Sequence, residues 1–130
     1  MPLNLSFSSL KNAGKITAEE DYVGGIAGRM DADTAMSSNP IVQIAECENT
    51  GDVNGRYYVG GIAGYVKGYY DDGTVIENSS CKANIKGEAY VGCIAGQTVN
   101  IPINNCVNEG STLTATGSIN KDNKRCAFVG

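Results

Sequence analysis

The sequence predicts an all-β fold, a parallel β-helix or β-solenoid of about three and a half coils with three short strands in each coil. The first observation is a repeated segment, which reads YVGGIAG at 22–28 and 58–64, YVGCIAG at 90–96 and FVG at 128–130. The second is its spacing of 36 (22 to 58), 32 (58 to 90) and 38 (90 to 128) residues. The third is a set of short apolar segments of period two, separated by Gly, Asn and Asp. Repeats this small must bury their apolar side chains against their neighbours, which predicts stacked coils.

The first element of each repeat is a strand with two apolar positions that are two residues apart. Aligning the repeats on one another gives the columns Leu5/Val42/Ile76/Ile101 and Phe7/Ile44/Asn78/Ile103, and three residues later the column Leu10/Cys47/Cys81/Cys106. We expect the three cysteines of that column to be buried, reduced and stacked, because free cysteine packs as a small apolar side chain. A disulfide between adjacent coils and a metal site are the alternatives.

The second element is a polar, glycine-containing segment with one apolar column and one asparagine column. These columns are Ile16/Val53/Ile85/Leu113 and Asn12/Asn49/Asn108. Asparagines stacked at a corner are expected to hydrogen-bond from coil to coil, with a row of ligand-binding amides as the alternative.

The third element is the YVGGIAG strand, in which Ile26, Ile62 and Ile94 should form a row about 5 Å apart. Its first and last glycines recur in every copy that reaches them, which predicts positive φ or a close backbone approach there. The middle glycine is replaced by Cys93 in the third copy, so the sequence predicts that Gly61→Ala is tolerated.

The chain is expected to be a single repeat domain. Its repeats span approximately residues 3–28, 40–64, 74–96 and 101–130, and its loops of unequal length, 29–40, 65–73 and 97–100, should leave one corner of the coil. The fourth copy stops within its motif at Gly130, which predicts a fragment of a longer protein.

Composition excludes several classes of function. The net charge is −4 and the ten Lys and Arg residues are scattered, which argues against nucleic acid and anionic membranes as partners. No stretch approaches the roughly eighteen apolar residues that cross a bilayer, so no membrane insertion of this chain is expected. Without histidine, the chain has no Ser–His or Cys–His nucleophile, and its acids and bases lie on different copies. We therefore expect no catalytic residues, no metal and no cofactor.

The strings CENTGDVNGRYYVGGIAG (47–64) and CKANIKGEAYVGCIAG (81–96) resemble GLUG-motif repeats, which are short glycine-rich repeats of bacterial surface proteins. The resemblance covers nearly the whole chain. It implies an exported, extracellular or cell-surface, adhesin-like protein whose signal and anchor lie outside this chain, and it carries over no catalytic residues. Five cysteines are unusual for a protein of an oxidising compartment. An anaerobic habitat would reconcile the cysteine content with a cell-surface location.

The candidate binding residues lie in the loop 65–73. They are Tyr69, Tyr70, Asp71 and Asp72, whose rings could stack on sugars or contact a protein and whose carboxylates could orient hydroxyls. Tyr57 and Tyr65, with Arg56 nearby, add aromatic character to the same copy, with ordinary strand packing as the alternative. The acidic pairs Asp31/Asp33 and Asp71/Asp72 match no calcium-binding motif, so solvated loops are favoured over a calcium site.

The predicted function is a non-catalytic cell-surface repeat module, an adhesin-like spacer or binding domain. The alternative is a carbohydrate-binding accessory domain of a larger exported hydrolase or peptidase. A host glycan or a surface protein is the expected partner.

Overall fold

The computed structural model describes residues 4–31, 41–68 and 74–116, and in these residues the only regular secondary structure is the β-strand. The first repeat contains β1 (Asn4–Ser8), β2 (Lys11–Asn12), β3 (Ile16–Thr17), β4 (Val23–Gly24) and β5 (Ala27–Asp31). The second contains β6 (Ile41–Ala45), β7 (Glu48–Asn49), β8 (Val53–Asn54), β9 (Tyr57–Gly60) and β10 (Ala63–Lys67). The third contains β11 (Val75–Glu77), β12 (Ser80–Cys81), β13 (Asn84–Gly87), β14 (Ala89–Gly92) and β15 (Ala95–Val99). After it come β16 (Ile103–Asn104), β17 (Val107–Asn108) and β18 (Thr112–Ala115).

Corresponding strands of successive repeats pair in parallel and in register, which confirms the predicted β-solenoid. They form sheet 1 (β1-β6-β11-β16), sheet 2 (β2-β7-β12-β17), sheet 3 (β3-β8-β13-β18), sheet 4 (β4-β9-β14) and sheet 5 (β5-β10-β15). Each full repeat therefore supplies five short strands, where the sequence predicted three. One reason is that the YVGGIAG motif bends after its first glycine, so that its two halves belong to sheets 4 and 5.

The core is a stack of apolar rows that run along the solenoid axis. The predicted row Ile16/Val53/Ile85/Leu113 is confirmed by the pairing within sheet 3. Ile26, Ile62 and Ile94 also stack, because the Ile26 N–H donates to the Ile62 carbonyl at 2.9 Å and the Ile62 N–H to the Ile94 carbonyl at 3.0 Å. Ile62 and Ile94 are fully buried, as are Ile44, Val53, Val59, Ile76 and Ile85.

The predicted columns of sheets 1 and 2 are wrong in the third repeat. Ile76 pairs with Ile44 and Ile103, not with the Val42 column, so the alignment was displaced there by two residues. The corner after sheet 1 sets the correct register, since one residue of each repeat turns there in the left-handed conformation. These residues are Ser9, Glu46, Asn78 and Asn105, with φ between 50° and 58°.

The same correction separates the cysteines. Ser79, not Cys81, occupies the column of Cys47 and Cys106, and Cys81 occupies the asparagine column. Cys47, Cys81 and Cys106 are buried free thiols as predicted, but they do not form one stack. The asparagine ladder is confirmed where it is continuous, because Asn12 Nδ2 donates to Asn49 Oδ1 at 2.8 Å.

The motif glycines serve close packing, not positive φ. Among the described glycines, only Gly110 has a φ in the left-handed range, at 99°. A Cβ on Gly24 or Gly60 would overlap a carbonyl oxygen of the same motif, and a Cβ on Gly64 would lie 2.6 Å from the carbonyl oxygens of Gly28 and Tyr58. The predicted tolerance at the middle position is contradicted, since a Cβ on Gly61 would overlap Cys81 Sγ and the Cys93 carbonyl oxygen.

The long connections leave the solenoid at one corner, between sheet 5 and sheet 1, as predicted. The strands of sheet 5 run further than the sequence indicated, so Arg29–Asp31, Tyr65–Lys67 and Gln97–Val99 are strand residues and not loop. The predicted fourth copy of the motif lies outside the described residues.

Candidate functional site

A ladder of three tyrosines runs along one corner of the solenoid, at the start of the YVGGIAG motifs. The rings of Tyr22 and Tyr58 are stacked with centroids 5.0 Å apart and planes 5° apart, and those of Tyr58 and Tyr90 are 4.7 Å and 10° apart. These distances match the spacing of neighbouring β-strands, so the backbone register alone brings the rings into contact. All three residues are half-buried.

The ladder residues have a strained backbone conformation. Tyr22, Tyr58 and Tyr90 have φ of 61°, 58° and 56°, a region that bulky residues rarely adopt. The turn directs each tyrosine carbonyl at the last glycine of its motif, and a Cβ on Gly28 or Gly96 would lie 2.5 Å from that oxygen. Tyrosine at the first motif position therefore explains glycine at the last. Aromatic stacking of about 0.5–1.5 kcal/mol per pair helps to offset the backbone strain.

Tyr65 and Arg29 extend the ladder onto sheet 5. They face outwards at paired positions of β10 and β5. The Tyr65 ring lies edge-on to Tyr22 and Tyr58, with centroids 5.7 Å and 5.6 Å apart. The guanidinium carbon of Arg29 is 5.0 Å from the Tyr22 ring centroid and 5.6 Å from that of Tyr65, within cation–π range. We call Tyr22, Tyr58, Tyr90, Tyr65 and Arg29 the tyrosine face.

An ion pair lies beside the tyrosine face. Arg56 Nε is 2.8 Å from Asp21 Oδ1 and Arg56 Nη2 is 3.4 Å from Asp21 Oδ2, so the guanidinium contacts both carboxylate oxygens. The hydrogen bond between the two side chains lowers the pKa of Asp21 and raises the pKa of Arg56. The guanidinium carbon of Arg56 also lies 5.2 Å from the Tyr57 ring centroid. Because this pair is exposed, it orients side chains more than it stabilises the fold.

The phenol of the central tyrosine of the ladder ionises later than an ordinary tyrosine. Burial raises the pKa of Tyr58, and the neighbouring Tyr90, Tyr22 and Tyr65 and the Asp21 carboxylate raise it further. Like any tyrosine hydroxyl at neutral pH, it can both donate and accept hydrogen bonds. The tyrosine face combines half-buried phenol groups with the Arg29 guanidinium, whose Nη2 also lies 3.5 Å from Asp31 Oδ2. The stacking covers the ring faces between neighbouring tyrosines.

The sequence-predicted site residues have different outcomes. Tyr69, Tyr70, Asp71 and Asp72 lie outside the described residues, as does Asp33. Tyr65 and Tyr57 are half-buried strand residues, and Tyr65 belongs to the tyrosine face. The sequence analysis does not predict the ladder, because the recurring tyrosine is also the first residue of the strand motif. Recurrence of an aromatic residue at the repeat period was the signal that could have revealed it.

Two further observations concern the described part of the chain. No group of three or more Cys, Asp or Glu side chains there could hold a metal ion. Residues 4–31, 41–68 and 74–116 also contain no helix long and apolar enough to cross a membrane.

No protein-family model, curated protein or solved structure matches the chain significantly. The resemblance to GLUG-motif repeats therefore rests on the quoted strings alone.

Proposed function

We propose that this chain is a non-catalytic, adhesin-like repeat module of a bacterial cell-surface protein, and that it binds a protein partner through the tyrosine face. The observation that carries the proposal is the clustering of four tyrosines and one arginine on rigid parallel sheets. Tyr and Arg are among the side chains that most often dominate binding energy at protein interfaces. Their fixed placement lowers the conformational entropy that binding removes.

The stacking geometry favours a protein partner over a carbohydrate. A sugar ring binds an aromatic side chain through an open ring face, but inside the ladder each ring is covered by the next one, 4.7–5.0 Å away. The exposed part of the half-buried tyrosines lies beside Arg29, whose side chain is 52% exposed. These groups suit the hydrogen-bonded, charged and aromatic contacts of a protein interface.

The loops that follow sheet 5 would enlarge this surface. The chain leaves β5 at Asp31 and β10 at Lys67, directly beside Arg29 and Tyr65. The sequence-predicted residues Tyr69, Tyr70, Asp71 and Asp72 begin two residues after Lys67. Loops on a rigid solenoid can vary without changing its core, so recognition residues are expected there too.

A binding assay tests the proposal. The purified domain is applied to a panel of immobilised extracellular matrix proteins and, in parallel, to a glycan array. The variant Arg29→Ala/Tyr65→Ala should weaken binding to the protein partner at least about tenfold, as expected for interface hot spots. The matched control, Lys82→Ala/Lys86→Ala, changes two exposed residues outside sheets 4 and 5 and should leave binding unchanged.

Other outcomes would redirect the assignment. Binding to glycans alone would support the carbohydrate-binding accessory domain, and binding to neither panel would support a spacer. An undiminished signal with Arg29→Ala/Tyr65→Ala, but a loss with Tyr69→Ala/Tyr70→Ala, would move the site from the tyrosine face to the loop.

A further inference from the structure

Two departures from the repeat pattern occur in the same coil and lie side by side. In sheet 2, Asn12, Asn49 and Asn108 share a column with Cys81. At the bend of the YVGGIAG motif, Gly25 and Gly61 share a column with Cys93. Both cysteines are fully buried free thiols.

The two columns face each other inside the solenoid. A Cβ on Gly25 would lie 2.7 Å from Asn49 Cγ, and a Cβ on Gly61 would overlap Cys81 Sγ. Cys93 Sγ lies 3.8 Å from the carbonyl oxygen of Cys81. Ser111 Oγ lies 3.5 Å from Cys81 Sγ and 3.5 Å from Cys93 Sγ. One hydroxyl thus bridges the two sulfur atoms.

The environment makes the two thiols chemically different. Side-chain interactions with Cys93, Ser111 and Asn49 lower the pKa of the Cys81 thiol to about 7 despite burial, and Ser111 Oγ and Asn49 Nδ2 lie 3.5 Å and 4.0 Å from its sulfur. The interaction with Cys81, together with burial, raises the pKa of Cys93. In a disulfide exchange the thiolate is the first nucleophile, and a protonated thiol beside it completes the reaction by attacking the mixed disulfide.

Of the other described cysteines, Cys106 is a weaker neighbour of Cys93, because it raises the pKa of Cys93 less than Cys81 and burial do. Cys47 and Cys106 share a column, but Ser79 stands between them. Their thiols instead donate to backbone carbonyls, Cys47 to Ala45 at 3.4 Å and Cys106 to Asn104 at 3.4 Å. Two steps of the strand spacing, about 10 Å, exceed the reach of a disulfide.

We propose that Cys81 and Cys93 are a redox pair, which a low-molecular-weight disulfide oxidises to an internal disulfide within the third repeat. The Cys81 thiolate attacks one sulfur of the small disulfide, and the other sulfur leaves as a thiolate that takes up a proton. Cys93 then loses its proton and attacks the Cys81 sulfur of the mixed disulfide, releasing the second small thiol. The protein loses two electrons and two protons, and the small disulfide becomes two thiols.

Burial sets the rate of this reaction. Neither sulfur is reachable in the closed solenoid, so exchange requires local opening of the third repeat. Low concentrations of urea that leave the protein folded should therefore accelerate oxidation. The disulfide would fix sheet 2 to the corner between sheets 4 and 5, independently of any ligand on the tyrosine face.

Peptide mapping of the wild-type protein after incubation with oxidised glutathione tests the proposal. The expected product is one crosslinked peptide pair that contains Cys81 and Cys93, with Cys47 and Cys106 still alkylated after denaturation. Reduction with dithiothreitol should restore both thiols. Repeating the experiment with Cys126→Ser removes the thiol that lies outside the described residues, and the same crosslink should form.

Two results would overturn the proposal. One is the persistence of free Cys81 and Cys93 thiols under urea concentrations at which hydrogen exchange shows the third repeat to open. The other is a dominant crosslink between different cysteines. The Cys93→Ser variant then tests the order of attack, since it should accumulate a glutathione adduct on Cys81. In Cys81→Ser, the raised pKa expected of a buried Cys93 thiol predicts much slower formation of an adduct.

Discussion

Replacing Gly61 with alanine should destabilise the solenoid strongly. The added methyl group would overlap Cys81 Sγ and the carbonyl oxygen of Cys93, and would lie 3.1 Å from Cys81 Cβ. Neither obstacle can move freely, because Cys81 is fully buried and the Cys93 carbonyl accepts the Gly61 N–H at 2.9 Å. Overpacking of this kind costs about 1–3 kcal/mol, and two fixed obstacles place Gly61→Ala near 3 kcal/mol.

Urea unfolding followed by far-UV circular dichroism measures this effect. A loss of about 3 kcal/mol corresponds to a fall of roughly 10 °C in melting temperature for a domain of this size. The matched control is Gly14→Ala, because a Cβ there meets only Asn12 Oδ1, at an ordinary 3.7 Å. Adding Cys81→Ala to Gly61→Ala should restore part of the loss by removing the sulfur but not the carbonyl. A Gly61→Ala variant as stable as Gly14→Ala would show that the close packing is not as described.

Two further predictions follow from the buried polar column and the tyrosine ladder. Asn49 is fully buried and makes hydrogen bonds of 2.9 Å and 3.1 Å with the backbone of Gly51. Asn49→Ala should therefore lower the free energy of unfolding in urea by about 2–3 kcal/mol, whereas the control Asn108→Ala, at an exposed position, should lower it by under about 1 kcal/mol. Equal losses would contradict the burial argument. The pKa of Tyr58 is raised above 10.0 in the folded protein. The contribution of its protonated phenol to the free energy of unfolding is therefore fully present below pH 10 and is lost as the pH rises through the folded pKa. Tyrosinate absorbance should show a late-ionising residue that disappears in Tyr58→Phe, whereas an unchanged titration curve would contradict the assignment.

The sequence predicted the stacking of the repeats but not the number of strands in each. A fixed period specifies which residues lie above one another, and the rows of Ile16 and Ile26 follow from it directly. The bend inside YVGGIAG occurs at the same position in every repeat and does not change the repeat period. Aligning the repeats on one another therefore does not reveal it. Five sheets in place of three are a property of the backbone within one repeat, which comparison between repeats does not reveal.

The displaced register of the third repeat has a different cause. Matching Cys81 to Cys47 aligned residues of the same type, but the left-handed corner at Asn78 places Ser79 opposite Cys47. Backbone geometry decided the register, and side-chain identity did not. Asparagine adopts this conformation readily and glutamate does not, so Asn78 and Asn105 were a usable signal, whereas Glu46 was not.

Of the two explanations predicted for the first and last motif glycines, the close backbone approach is confirmed and positive φ is wrong. Glycine is the residue expected in that region, and the motif contains glycines that never vary. The structure places tyrosine there instead, and the glycines accommodate the carbonyl groups that the tyrosines turn towards them. An unfavourable conformation therefore recurs at Tyr22, Tyr58 and Tyr90. The stacking of their rings helps to offset its energetic cost.

Comparing the repeats at the corner that holds Cys93 identifies side chains that contact one another. Each repeat places different side chains at the same two facing positions, so residues that change together in one coil indicate a physical contact. Where Asn49 is buried, the facing residue is Gly25, because a Cβ there would meet the amide. In the next coil Cys81 is shorter than asparagine, yet Gly61 still has no room. In the coil that follows, Asn108 is exposed, and its Oδ1 accepts hydrogen bonds from the backbone N–H groups of Gly110 and Ser111. The Cys93 sulfur lies 3.5 Å from Ser111 Oγ, the hydroxyl oxygen that is also 3.5 Å from Cys81 Sγ, so the two substituted positions meet at one serine.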